Sequence, residues 1–132
     1  MKTLFLMTFL TAQFLGLHLP TDITTTNPKK ATLCFEATTI DYGIIKKGSD
    51  PVRIFKFSNT GQAPLLIIDA KGSCGCTVPT FPSEALPSGT SGEISVRYDT
   101  NRVGVFQKNI TITSNAGEPV ILKIIGEVKE TM

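Results

Sequence analysis

The 132-residue chain has one histidine, His18, and no tryptophan. His18 lies within the N-terminal twenty residues, just past a mostly apolar run, so the sequence beyond them offers no imidazole. Ser-His-Asp and Cys-His nucleophile arrangements therefore cannot be assembled there. Structural zinc wants four N or S donors, and three cysteines without histidine do not supply them. Methionine adds little, because Met1 and Met7 lie in the same N-terminal segment and leave only Met132. No glycine-rich phosphate loop opens a helix, since no stretch from Ala31 onward carries a 3.6-residue apolar period. The acidic residues are scattered, and Asp41, Asp69, Glu93 and Asp99 read as turn or solvent residues rather than a glycosidase pair. Charge of one sign is also missing. Thirteen basic and eleven acidic residues give a formal +2, and Lys29-Lys30 and Lys46-Lys47 are isolated loop pairs, which excludes a nucleic-acid footprint. Catalytic and cofactor-binding residues are thus expected to be none, and no cofactor is implied.

What is present begins with a targeting pattern. Lys2 precedes the mostly apolar Leu4 to Leu17, a run shorter than the roughly 20 residues a membrane span requires and interrupted by Thr8, Thr11 and Gln13. It matches a secretory signal, with an uncleaved anchor as the alternative. The expected organisation is a signal peptide over residues 1–20, a flexible Thr/Pro/Lys spacer over 21–30, and one domain over 31–130 with no transmembrane span in the mature chain. Export to the periplasm, the outer membrane or the medium follows from that pattern. It places the cysteines in an oxidising compartment.

The domain reads as strands. Apolar residues alternate with period two in segments bounded by Gly, Pro, Asn and Asp. Leu33 and Phe35 share one face, with Cys34 on the other. Phe55 and Phe57 share a face while Val52 and Ile54 fall out of phase, which suggests a bulge near Ile54. Pro64 to Ala70 reads as a strand buried on both faces. Pro79 to Gly92, with prolines at 79, 82 and 87, reads as a rigid surface loop. Ile94, Val96 and Tyr98 alternate cleanly; Phe106, Ile110 and Ile112 point inward with Lys108 as the exception in that register, and Val120, Leu122, Ile124 and Val128 share a face. About seven short strands in roughly 100 residues predict an all-β, immunoglobulin-like antiparallel β-sandwich.

The segments Phe35-Glu36, Asp41 to Ile45, Phe55 to Gly61, Pro64-Leu65 and Ser73-Cys74-Gly75-Cys76-Thr77-Val78-Pro79 carry a likeness. Pro87-Ser88-Gly89, Gly92-Glu93-Ile94 and Ser114-Asn115-Ala116 extend it. Over about Leu33 to Val128 the chain resembles the exported bacterial family called domain of unknown function 1573, with the Cys-Gly-Cys-Thr block as its most distinctive part. The resemblance implies a β-sandwich in the envelope of a Gram-negative bacterium, and it implies no activity.

Cys74 and Cys76 are the one local cluster with chemistry of its own. On extended backbone, residues i and i+2 share a face with Cα atoms roughly 6.5 Å apart, near the upper limit for a disulfide. Such a bond closes a very small ring and is expected to be strained and easily reduced, with Gly75 letting the backbone fold tightly. Three alternatives stand beside this one. One cysteine pairs with Cys34, both are small buried hydrophobes at a corner, or Cys74 and Cys76 hold a Cu(I) ion with Cys34 as third ligand. Two functions follow. The favoured one is a non-enzymatic envelope or secreted module that binds an unknown protein. The other is a thiol-disulfide or copper-handling protein using Cys74 and Cys76.

Overall fold

The computed structural model describes Gly16 and residues 28–132. The signal segment assigned to 1–20, apart from Gly16, and most of the 21–30 spacer lie outside the described residues. No helix among the described residues is long and apolar enough to cross a membrane.

Eight strands form two four-stranded sheets. They are β1 (Leu33–Phe35), β2 (Thr39–Lys46), β3 (Val52–Asn59), β4 (Ile67–Gly72), β5 (Thr77–Thr80), β6 (Ser91–Tyr98), β7 (Gly104–Ser114) and β8 (Val120–Lys129). One sheet runs β1-β3-β6-β5 and the other β2-β8-β7-β4. Every pairing is antiparallel except β2 with β8, which is parallel. The parallel pair is possible because β2 and β8 are separated by the whole domain and need no tight turn between them.

Period-two patterning decides which face of each strand goes in. Phe55 and Phe57 of β3 and Ile94, Val96 and Tyr98 of β6 line one inner face; Phe106, Ile110, Ile112, Leu122, Ile124 and Val128 line the other. Burying these side chains is the main force holding the sheets together, at about 1.5–3 kcal/mol for each fully buried aliphatic or phenyl group. The all-β sandwich read from the sequence is the fold.

Three local expectations need correction. The β3–β6 ladder runs from Val52↔Arg97 to Ser58↔Ser91 without a shift. Val52 and Ile54 are out of phase with the phenylalanines simply because they belong to the outer face, and no bulge is needed. The register shifts occur instead in β2, between Asp41 and Ile44, and in β4, between Ile67 and Asp69. The run at Pro64–Ala70 is not buried on both faces. β4 is an edge strand, with Leu65 and Ile67 inside and Ile68 56% exposed. Finally, the proline-rich loop starts later than expected, because Thr77–Thr80 pairs with β6 as Thr77↔Tyr98 through Thr80↔Ser95. A strand containing Pro79 is tolerated there because β5 is at the edge, where a missing N–H costs no ladder bond.

The far end of the sandwich from Tyr98 is fastened by Asn59, which is fully buried. Its Nδ2 donates to the carbonyls of Ala63 (2.8 Å) and Leu86 (3.1 Å), and its Oδ1 accepts from Gly61 N–H (3.0 Å) and Thr32 N–H (3.3 Å). All four bonding positions of the amide are used. One side chain thereby ties the entry to β1, the β3–β4 turn and the long loop before β6.

Candidate functional site

At Ser73–Cys76 the chain changes sheets between two edge strands, as β4 of one sheet hands over to β5 of the other. Ser73 N–H donates to Asn109 O (2.9 Å), Thr77 N–H to Cys74 O (3.2 Å) and Asp99 N–H to Cys76 O (2.9 Å). These bonds bend the segment into a turn rather than leaving it extended. Cys74 and Cys76 are brought to a Cα separation of 5.3 Å and are joined as a disulfide. The turn, not a stretched strand, makes the link possible, since 5.3 Å is well inside the usual range.

The glycine that the turn requires is Gly72 rather than Gly75. A Cβ at Gly72 would collide with the Thr77 carbonyl oxygen, while one at Gly75 would meet nothing within 4 Å. Gly75 also lacks a positive φ. Gly75 itself is exposed.

The two sulfurs are not equivalent. Cys76 is buried, at 7% exposure, whereas Cys74 is half-buried at the surface. Thr77, itself buried, places its Oγ1 3.7 Å from Cys76 Sγ and 3.9 Å from Cys74 Sγ. Among the described residues that hydroxyl has no other hydrogen-bond partner. Sequence reasoning gave Thr77 no role. A threonine directly after the cysteine pair was the available signal, and the turn that aims it was not visible.

Beside the disulfide lies an open cleft of about 490 Å³. It is walled by Ser49 and Pro51 from the β2–β3 loop, by Gly75 and Cys76, and by Asp99 and Asn101 from the β6–β7 loop. Tyr98 lines it as well, and behind the cleft the Tyr98 ring stacks on Phe106 with centroids 3.9 Å apart, while Tyr42 meets Phe106 edge-on at 5.4 Å. Tyr42 donates its hydroxyl to Pro51 O (2.8 Å), and the Arg53 guanidinium lies 4.1 Å above its ring. Burial pushes both phenols above their ordinary pKa; at Tyr42 the Arg53 charge works against that rise, and at Tyr98 the Arg102 charge does. Both hydroxyls are therefore neutral at neutral pH and serve as packing groups with a polar tip.

Cys34 is an exposed free thiol on β1. β1 and β5 are opposite edges of the same sheet, so three strand spacings, about 14 Å, separate Cys34 from the disulfide. The structure brings Cys74 and Cys76 together and leaves Cys34 apart. The arrangements that joined Cys34 to either of them, as disulfide partner or third copper ligand, do not occur in this geometry. No group of three His, Cys, Asp or Glu side chains converges among the described residues.

A family model described as "Protein of unknown function (DUF1573)" matches residues 33–128. The chain belongs to that family. No curated protein matches it by sequence. Among solved structures, this DUF1573 domain is similar to a protein of unknown function from Porphyromonas gingivalis W83, with TM-score 0.67 and 15% identity over 79% of this chain and 50% of that one. It therefore spans half the length of that relative. It is also similar to the ASH/PapD-like domain 7 of human CEP192, with TM-score 0.61 and 11% identity over 83% of this chain and 93% of that domain. A third likeness is to the CsuC–CsuE chaperone–tip adhesion subunit pre-assembly complex of Acinetobacter baumannii, with TM-score 0.58 and 10% identity over 75% of this chain and 58% of that one. At these identities the likeness shows a shared sandwich fold.

Proposed function

We propose that the chain is a non-enzymatic, exported protein-binding module of the cell envelope or extracellular space, and that its contact surface is the outer face of the β1-β3-β6-β5 sheet. The observation carrying this reading is a strip next to the disulfide corner. Val52, Arg97 and Val78 are cross-strand neighbours in one row, and Ile54, Ser95 and Thr80 are neighbours in the next. Ile54 and Val78 are about half exposed. Arg97 is the single charge among these six residues, so a partner with an apolar contact and a carboxylate would complement the strip. Beyond the strip the same face carries the facing pair Lys56 and Glu93 in the next row, whereas on the outer face of the other sheet Asp41, Glu127, Lys123, Asp69 and Lys71 are interspersed among the aliphatics themselves. A charged surface of that kind is an ordinary solvated one. The similar chain in the chaperone–tip adhesion subunit pre-assembly complex supports the reading in a general way, because it is a sandwich of this class engaged with another protein. The apolar run Leu4 to Leu17 supports export.

The test is site-specific photo-crosslinking in cells from Ile54 and Val78 on one face and from Thr113 on the other, combined with fractionation. A discrete adduct from Ile54 and Val78 that is absent from Thr113, in the exported fraction, is expected. Identical patterns from both faces, or a chain retained in the cytoplasm, would overturn the proposal.

A further inference from the structure

We infer that Cys74–Cys76 is an exchangeable disulfide that accepts electrons from a dithiol, with Cys74 as the attacked sulfur and the Thr77 hydroxyl stabilising the departing Cys76 thiolate. This stands independently of the binding surface proposed above. Four observations converge on it. The bond joins cysteines two positions apart, and a loop that short takes little conformational freedom from the unfolded chain, so the link is a poor staple. The turn is held by its own backbone bonds from Ser73, Thr77 and Asp99, which remain when the sulfurs separate. Access is one-sided, since Cys74 is partly exposed while Cys76 is buried. Lastly, a buried hydroxyl is aimed at the sulfur pair and at nothing else among the described residues. Divalent sulfur is a weak acceptor, but a thiolate is a strong one, so the hydroxyl gains most once the disulfide opens.

The step balances as an ordinary exchange. A thiolate of the incoming dithiol attacks Cys74 Sγ and forms a mixed disulfide. The Cys74–Cys76 bond breaks, and Cys76 leaves with the electron pair, accepting the Thr77 O–H as hydrogen-bond donor and later a proton from solvent. The second thiol of the dithiol, deprotonated to water, attacks its own partner sulfur in the mixed disulfide and releases Cys74 as a thiolate. The dithiol is oxidised by two electrons to a disulfide, and the cysteine pair is reduced to two thiols. The dithiol belongs either to a polypeptide or to a small molecule.

The experiment treats the native full chain, carrying Cys34→Ser to remove the spare thiol, with three probes: glutathione, dithiothreitol and a reduced two-cysteine peptide. Acid quenching and mass spectrometry follow the disulfide, while circular dichroism follows the fold. Reduction of the folded protein by both dithiols is expected, with glutathione adducts on Cys74 at least about tenfold over Cys76, in line with their access. Faster reaction with the peptide than with dithiothreitol, per thiolate, assigns the co-reactant to a polypeptide, and the reverse assigns it to a small molecule. A disulfide that opens only after denaturant is added would overturn exchange at this site. The Thr77 role has its own readout. Thr77→Val is expected to slow reduction about tenfold and to raise the thiolate pKa of the reduced pair, followed by ultraviolet thiolate absorbance, while Thr77→Ser restores both. Unchanged rate and titration in Thr77→Val would remove Thr77 from the step.

Discussion

Asn59 and the Cys74–Cys76 pair both sit where the chain passes from one strand to the next, at opposite ends of the sandwich. Each belongs to a short glycine-containing motif. Their surroundings differ in kind. Around Asn59 every polar atom has a partner, the side chain is fully buried, and the bonds reach three separate segments. Around the cysteines the bonds that hold the turn, to Asn109, within the turn and from Asp99, are made by backbone atoms and not by the sulfurs, one sulfur is near the surface, and a cleft opens alongside. A junction of the first kind fixes the fold, because removing one partner strands several buried groups at once. A junction of the second kind is free to change its covalent state, because none of the backbone bonds that hold it uses a sulfur.

Substitutions break or sharpen that contrast. Asn59→Ala strands two N–H groups and two carbonyls, and is expected to cost about 4 kcal/mol in a urea titration, the largest effect of any single change discussed. Gly72→Ala comes next. Its Cβ must displace the Thr77 carbonyl, a backbone atom that has no flexible escape, so a loss of about 2–3 kcal/mol is expected by the same titration. Replacing both Cys74 and Cys76 by serine removes a three-residue loop closure worth about 1.6 kcal/mol in the chain-entropy account, and the midpoint should fall accordingly. Cys34→Ser, on an exposed face of a short edge strand, is expected to change stability by less than about 0.5 kcal/mol. A double cysteine variant as damaging as Asn59→Ala would erase the distinction between the two ends.

The same contrast explains what could be read from the sequence. Strands β6, β7 and β8 were plain, because a strand with one buried face writes its geometry into alternate residues, as in Ile94, Val96 and Tyr98. Asn59-Thr60-Gly61 was legible as a turn, but not as a buried hub, since its partners Thr32 and Leu86 are each 27 residues away. Strand β5 was hidden by Pro79, whose presence argues against a strand until one knows that the strand lies at an edge. The cysteine motif drew notice for the right residues and with the wrong glycine. Treating the segment as extended put the Cα atoms near the upper limit for a disulfide rather than at 5.3 Å, and gave the tight-folding role to Gly75. In the fold that role belongs to Gly72, because the crowding comes from Thr77, five positions on, and chain crossing of that kind leaves no periodic trace.

The separation between a fixing end and an exchangeable end is tested most directly by amide hydrogen exchange on the same protein with Cys74–Cys76 oxidised and reduced. Loss of protection confined to Ser73–Thr77 and the adjoining Asp99 is expected, with Gly61, Leu65 and the β3–β6 ladder as protected as before. Protection lost across β3, β6 and the Asn59 junction on reduction would contradict it, and would make the disulfide a staple of the whole domain.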